Sequence, residues 1–297
     1  MRALPFLGIV LAAACGDKQP TSPPAAPGPP AAPAVPARPA PIDLDGLVDG
    51  PACFVVRTPA GTVRQSDEAL CAKRLRPAST FKIPNALIGA EVGLLGGPDA
   101  IMTYDAKAYP KEAFWFEDWA RDQPLREAMR ISAVPLFRRL AVQIGPERMQ
   151  RHLDAFAYGN RDLSGGQDRF WLSGGGLAIS AREQVDFLAK LVAGTLPVSA
   201  KAMATAREAL PTEQADDATL HWKTGTAREE PSAGADRPPW TAWLVGWVER
   251  PDGNHVFACW IEEVGEFEQV TSRRMAFCKG VLARLGLFAP ALGSGAK

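Results

Sequence analysis

Apolar and polar positions change period several times along the chain, and each change marks an element. Two short runs, Phe54-Val55-Val56 and Thr62-Val63-Arg64, flank Pro59-Ala60-Gly61, which predicts a pair of strands joined by a turn. From Ser79 to Leu95 the apolar residues Phe81, Leu87, Ile88, Val92 and Leu95 mostly follow helical spacing, with Ser79 placed to cap the helix. Pro84 lies slightly beyond the first turn, where proline is comfortable, so an irregular helix start is expected. Residues 124–129, 133–143, 146–156 and 181–193 also read as helices, separated by Gly- and Asn-rich loops such as 158–166. The pattern then turns strand-like at 220–224, 241–248 and 256–261, and Pro251-Asp252-Gly253-Asn254 supplies a hairpin turn between the last two. Residues 273–285 read as a closing helix. Strands at both ends with helices between them predict an α/β lobe interrupted by a helical lobe at about 100–210, with a site where the lobes meet.

The first residues follow a different rule. Arg2 precedes an apolar run over 4–14, the length of a secretory h-region and too short to span a bilayer. Residues 1–14 therefore read as a signal peptide. Ala12-Ala13-Ala14-Cys15 resembles a bacterial lipoprotein box, although Ala12 stands where an aliphatic residue is usual. Lipidation of Cys15 is the preferred reading, and ordinary cleavage at an Ala-x-Ala site is the alternative. Residues 15–41 are dominated by Pro and Ala, which keeps a chain extended and unable to bury a core. They read as a tether after a lipid anchor, leaving 42–297 as the folded domain of an exported, periplasmic protein. No later apolar run is long enough for a membrane helix.

Composition narrows the classes further. The chain has 297 residues, of which 46% are hydrophobic and 22% charged, an ordinary globular balance. Formal net charge is zero, so the electrostatic footprint of a nucleic-acid binder is missing. His152, His221 and His255 are scattered without metal-ligand spacing, so no metal is expected. Apart from Cys15, the cysteines are Cys53, Cys71, Cys259 and Cys278, an even set that invites disulfides in an exported protein. Cys53 with Cys71 is the most local pairing, and buried free thiols are an equal contender.

Three short motifs carry the chemistry. Ser79-Thr80-Phe81-Lys82 places a hydroxyl and an amine on one helix face. A serine becomes a nucleophile when something takes its proton, and a lysine can do so once burial or a neighbouring cation makes it neutral. Lys223-Thr224-Gly225 ends a strand, where a cation, a hydroxyl and an unobstructed backbone suit recognition of a carboxylate. Ser132-Ala133-Val134 opens a helix. Each motif alone reads as a helix cap or a surface charge. Their joint occurrence in this order is the set expected of penicillin-recognising serine enzymes.

The surrounding residues resemble one branch of those enzymes, the class D or oxacillinase-type β-lactamases. The resemblance rests on the stretch from Pro77 to Ala86, on Ser132-Ala133-Val134-Pro135 and Tyr158-Gly159-Asn160, and on Phe170-Trp171-Leu172 of an omega-type loop. His221 to Gly225 and Trp243 to Trp247 complete it, so that it spans about residues 53 to 277. It implies the penicillin-binding-protein/β-lactamase fold, an antiparallel sheet flanked by helices with an inserted all-helical lobe. It implies a hydrolase opening the ring of penicillin-type antibiotics through an acyl-enzyme on Ser79. Lys82 would be carbamylated by CO₂ (N6-carboxylysine) and act as general base. Phe81, Val134 and Leu172 would form its apolar pocket, with the Trp171 indole N–H holding a carbamate oxygen. The backbone N–H groups of Ser79 and Thr226 would form the oxyanion hole, and Ser132 with Lys223 would relay a proton to the lactam nitrogen. Thr224, Gly225, Thr226 and an arginine early in the closing helix would bind substrate, Arg274 being preferred over Arg273 on helical phasing.

CO₂ or bicarbonate is the sole small-molecule requirement implied beyond substrate. The run Ser173-Gly174-Gly175-Gly176 looks looser than the family's usual segment, which questions the rigidity of the loop carrying Trp171. Two rival readings share the serine–lysine elements: a D,D-peptidase, and a β-lactam sensor domain that stays acylated. Preference among penicillins, oxacillin-like compounds, cephalosporins and carbapenems depends on loop shape around Trp115 and 227–240, and the sequence leaves it open, as it does the oligomeric state.

Overall fold

The computed structural model describes residues 39–113, 115–228 and 238–289, together with Gly8. The expectations for residues 1–14, for Cys15 and for most of the tether lie outside the described residues. Strands β1 (Ala52–Arg57) and β2 (Val63–Gln65) form the expected pair, followed by a short helix α1 (Glu68–Ala72) and then α2 (Lys82–Glu91). A two-stranded ribbon, β3 (Ile101–Met102) with β4 (Gln123–Pro124), leads into the helices α3 (Leu125–Arg130), α4 (Val134–Ile144) and α5 (Pro146–Phe156). Helices α6 (Ala181–Ala193) and α7 (Ala200–Glu208) precede β5 (Thr212–Ala215), β6 (Ala218–Arg228), β7 (Trp240–Arg250), β8 (Gly253–Glu263) and α8 (Phe267–Arg284).

The main sheet has the order β2-β1-β8-β7-β6-β5, antiparallel throughout. Alternation along its strands divides the core. Trp243, Val245 and Trp247 join the cluster shared with the helical lobe, while Ala242, Leu244 and Val248 join Phe277, Val281 and Leu282 of α8. The sheet is therefore covered on both faces, as an α/β lobe with an inserted helical lobe requires.

Several local expectations change. Ser79 caps no helix: a 3-10 turn over Ala78–Phe81 precedes α2, and the α2 cap position, Phe81, has no side-chain cap bond. Since α2 begins at Lys82, Pro84 falls within its first turn, where the missing N–H costs little. Ser132 is not a cap either, because α4 starts at Val134 after Ala133, and Ser132 holds a left-handed φ of 61°. The closing helix starts at Phe267, so Arg273 and Arg274 lie in its middle rather than near its start. Cys53 is bonded to Cys71, and Cys259 to Cys278, which excludes the free-thiol reading.

Candidate active site

The turn carrying Ser79 is held in an unusual shape by its surroundings. Ala78, just before Ser79, has φ 47°, a left-handed conformation rarely adopted by a residue with a side chain. Trp243 of β7 donates its indole N–H to the Arg76 carbonyl at 2.9 Å, fixing the turn on the sheet. Strand β6 presses on the same turn: a Cβ on Gly225 would lie 2.5 Å from the Pro77 carbonyl oxygen and 3.0 Å from the Thr80 nitrogen. Glycine is required here by close approach.

Lys82 enters from the first turn of α2 and donates from Nζ to Ser79 Oγ at 2.6 Å. Its side chain is completely buried. Burial, with the Lys223 charge adding to it, holds the ammonium well below the ordinary lysine value. The Phe137 ring centre lies 5.4 Å from Nζ, and Phe81 stacks on Trp171 at 5.2 Å. Phe137 was not anticipated, although it lies three residues after Val134 on the same helix face. Val134 and Leu172 pack on this cluster while remaining half-buried. Asn85 ties α2 to α4 by donating to the Phe137 carbonyl at 3.0 Å.

Trp171 is fully buried, and its Nε1 has no hydrogen-bond partner among the described residues. An orphaned donor in the same apolar cluster as Phe81 and Phe137, around an amine that burial favours as neutral, fits an anionic group carried on Lys82. Two of the three glycines after Trp171 are closely packed, while Gly174 faces open space. A Cβ on Gly175 would lie 2.2 Å from the Phe170 carbonyl oxygen, and one on Gly176 2.1 Å from Ser164 Oγ. Leu177 N–H donates to the Phe170 carbonyl, and Gly176 N–H to that of Ser164, both at 2.9 Å. Asn160 brackets the same segment, donating to the Gly176 carbonyl at 2.8 Å and accepting from Ala178 N–H at 2.9 Å. Gly175 and Gly176 thus serve close packing, and Asn160 of the Tyr158-Gly159-Asn160 motif is part of their support.

Strand β6 distributes the remaining groups by its alternation. Strand β5 begins at Thr212 opposite His221, and Trp222 N–H still reaches the Pro211 carbonyl, so among the described residues β6 has no strand on that edge from Lys223 to Ala227. Lys223 and Gly225 lie on the face toward the Ser79 turn. Lys223 donates to Ser132 Oγ at 3.2 Å and to the Thr224 carbonyl at 3.0 Å. Burial, with Arg274 contributing, brings its pKa down to about 7. On the other side, Arg274 reaches from α8 to donate to Thr226 Oγ1 at 3.0 Å, and burial lowers its pKa to about 10. Arg273 instead pairs with Glu263 and is largely exposed. Ser79 with Lys82, Ser132 with Lys223 and Thr226 with Arg274 are therefore three bonded pairs, and the charges of Lys82, Lys223 and Arg274 are near enough to act on one another.

The histidines are occupied elsewhere: His221 stacks on Trp247 at 4.6 Å, and His255 pairs with Asp252 at 3.0 Å. Among the described residues no group of three or more His, Cys, Asp or Glu side chains is arranged to hold a metal ion, and no helix is long and apolar enough to cross a membrane.

A serine bonded to a buried lysine, a second serine bonded to a second lysine, and a strand edge with them define a serine enzyme of the penicillin-recognising kind. The model of the penicillin-binding-protein transpeptidase domain matches residues 54–277. Beta-lactamase OXA-10 of Pseudomonas aeruginosa is 42% identical over 193 residues, which are 65% of this chain and 69% of that one. The crystal structure of FUS-1 (OXA-85), a class D β-lactamase from Fusobacterium nucleatum subsp. polymorphum, has a TM-score of 0.71 at 30% identity, covering 80% of this chain and 93% of that one. Regulatory protein BlaR1 of Bacillus licheniformis is 32% identical over 217 residues, 72% of this chain but 33% of that protein. This chain belongs to the class D β-lactamases.

Proposed function

We propose that the chain opens the β-lactam ring of penicillin-type antibiotics through an acyl-enzyme on Ser79 and then releases the product by hydrolysis. The observation that carries this is the 2.6 Å contact between Ser79 Oγ and a fully buried Lys82, with an unpartnered Trp171 N–H in the same apolar cluster. When present, a carbamate on Lys82 supplies the anionic base that an amine does not. Phe81, Phe137 and Trp171 keep water from its surroundings and hold the lysine in the neutral form needed to react with CO₂.

The other residues divide the remaining work. Ser79 Oγ gives up its proton toward Lys82 and forms a bond to the lactam carbonyl carbon. The backbone N–H groups of Ser79 and Thr226 stabilise the oxygen that becomes negative. As the lactam C–N bond breaks, Ser132, held by Lys223, passes a proton to the departing nitrogen. Arg274, with the hydroxyls of Thr224 and Thr226, receives the substrate carboxylate. The test is turnover of nitrocefin with mass spectrometry of the protein. Sustained hydrolysis is expected, whereas one stoichiometric burst leaving acylated Ser79 indicates a sensor or peptidase.

Export and lipid attachment at Cys15 complete the proposal. The apolar run at 4–14 and the small residues before Cys15 support it, and two disulfides suit an oxidising compartment. Intact mass of the membrane fraction checks it, since mature protein without acyl chains overturns the anchor.

A further inference from the structure

Arg138 of α4 is a strongly networked charge that the mechanism does not use, directly after Phe137, whose ring faces Lys82. Its side chain is 17% exposed, and it donates from Nε to Asp168 Oδ2 at 2.9 Å while its NH2 group lies 2.7 Å from the same oxygen. Its NH1 lies 3.7 Å from Glu112, and its guanidinium sits 4.8 Å from the centre of the Tyr109 ring. The two ends of this ion pair belong to the two walls of the pocket. Arg138 directly follows Phe137, whose ring faces Lys82 Nζ, on a helix that begins two residues after Ser132. Asp168 lies three residues before Trp171 in a turn closed by Phe170 N–H to the Gly166 carbonyl at 3.0 Å and Leu172 N–H to the Arg169 carbonyl at 2.8 Å. Those bonds tie Asp168 to Trp171 within one short turn, so the Arg138–Asp168 pair joins the segment carrying the Trp171 indole to α4.

We propose that Arg138 is a positioning residue that holds Trp171 against Lys82 through Asp168, and thereby sets how firmly the chain retains CO₂ on Lys82. The proposal rests on the carbamate reading given above. The step concerned is the bond from the neutral Lys82 nitrogen to the carbon of CO₂, with one C=O electron pair moving to oxygen and the nitrogen proton leaving to solvent. The reverse step loses CO₂. A loosened Trp171 N–H withdraws a hydrogen bond from the product and favours the reverse. A half-buried ion pair with two donors from one guanidinium holds geometry better than an exposed one, and lysine reproduces its charge but not its fork.

The experiment compares wild type, Arg138→Gln, Arg138→Lys, Asp168→Asn and the double variant Arg138→Gln/Asp168→Asn. Each is read by the ¹³C carbamate signal in labelled bicarbonate, by the bicarbonate concentration giving half that signal, and by Tm. Arg138→Gln and Asp168→Asn should each raise the half-saturating bicarbonate by about tenfold, as loss of hydrogen bonds to a charged group predicts. The double variant should be no worse than either single one, and Arg138→Lys should recover part of the loss. A half-saturating concentration equal to wild type in Arg138→Gln, even with a lower Tm, overturns the positioning role. Absence of any carbamate signal in wild type overturns the carbamate reading itself and this proposal with it.

Discussion

The site contains two buried lysines whose surroundings contrast. Lys82 stands among Phe81, Phe137 and Trp171 with one hydrogen bond, to Ser79. Lys223 meets the Ser132 hydroxyl and both the carbonyl and the hydroxyl of Thr224. Among the described residues neither has a carboxylate partner, and burial draws both toward neutrality, Lys223 to about 7. A buried cation without an anion is costly, so each position favours arrival of negative charge. The difference lies in what can arrive. An apolar pocket with one orphaned N–H suits a small group attached to Lys82. The hydroxyl-lined strand edge beside Arg274 suits a carboxylate brought by substrate.

Four substitutions or titrations probe that contrast. Lys82→Ala should remove the base altogether, lowering kcat for nitrocefin by about 10⁴-fold or more and leaving Ser79 acylated in mass spectra. Retention of substantial turnover would assign the base elsewhere. Trp171→Phe keeps an aromatic wall and deletes only the N–H. At low bicarbonate it should cost about 10²-fold in kcat, with recovery as bicarbonate rises, following the effect of removing one hydrogen-bond donor to a charged group. Loss that bicarbonate leaves untouched would separate Trp171 from Lys82 chemistry.

On the other side, Arg274→Ala should raise KM by about tenfold or more with a smaller change in kcat, while Arg273→Ala stays near wild type. Equal effects from the two would dissolve the distinction drawn from their burial. The smallest effect is on stability. Lys223 has a folded pKa near 7 against 10.5 for an ordinary lysine, so between those values the unfolded chain binds more protons. Stability should therefore rise with pH across that window. Lys223→Met, which removes the titration, should gain about 3 °C in Tm at pH 7 and lose that advantage by about pH 10, as paired thermal melts would show.

Much of this arrangement was legible in the residues, and the misses have physical causes. Helices α5 and α6 were read to the residue because Gly145 and Pro146 mark one start, while Ser180 with Glu183 forms a capping box and Gly194 ends the other. Helix α8 has no side-chain cap at Glu266, and its first turns were missed. Strand β5 and helices α1 and α7 were also missed, being short or weakly patterned. Ser79 and Ser132 resembled helix caps because serine is favoured there, yet both hydroxyls face lysines instead. Alternation on β6 could have separated Lys223 from Thr226, but only the tertiary contact to α8 distinguishes Arg274 from Arg273. Arg138 and Asp168 are far apart in sequence, and no local pattern joins them.

The sheet order carries a consequence for how the molecule is made. Strand β1 lies beside β8, with Phe54 opposite Cys259 and Cys53 opposite Trp260. An early segment of the chain must therefore wait for nearly the last one before it gains its neighbour on that side. The Cys53–Cys71 bond and the β1–β2 pair can form early, since both are local. The wall behind Ser79, including Trp243 and Gly225, becomes complete only when β7 and β8 have been synthesised and docked. Such long-range closure is slow, and it leaves the β1 edge unpaired in the meantime. A chain cut short before β8 would thus expose a sticky strand instead of a weakened enzyme, and its fate is aggregation or proteolysis.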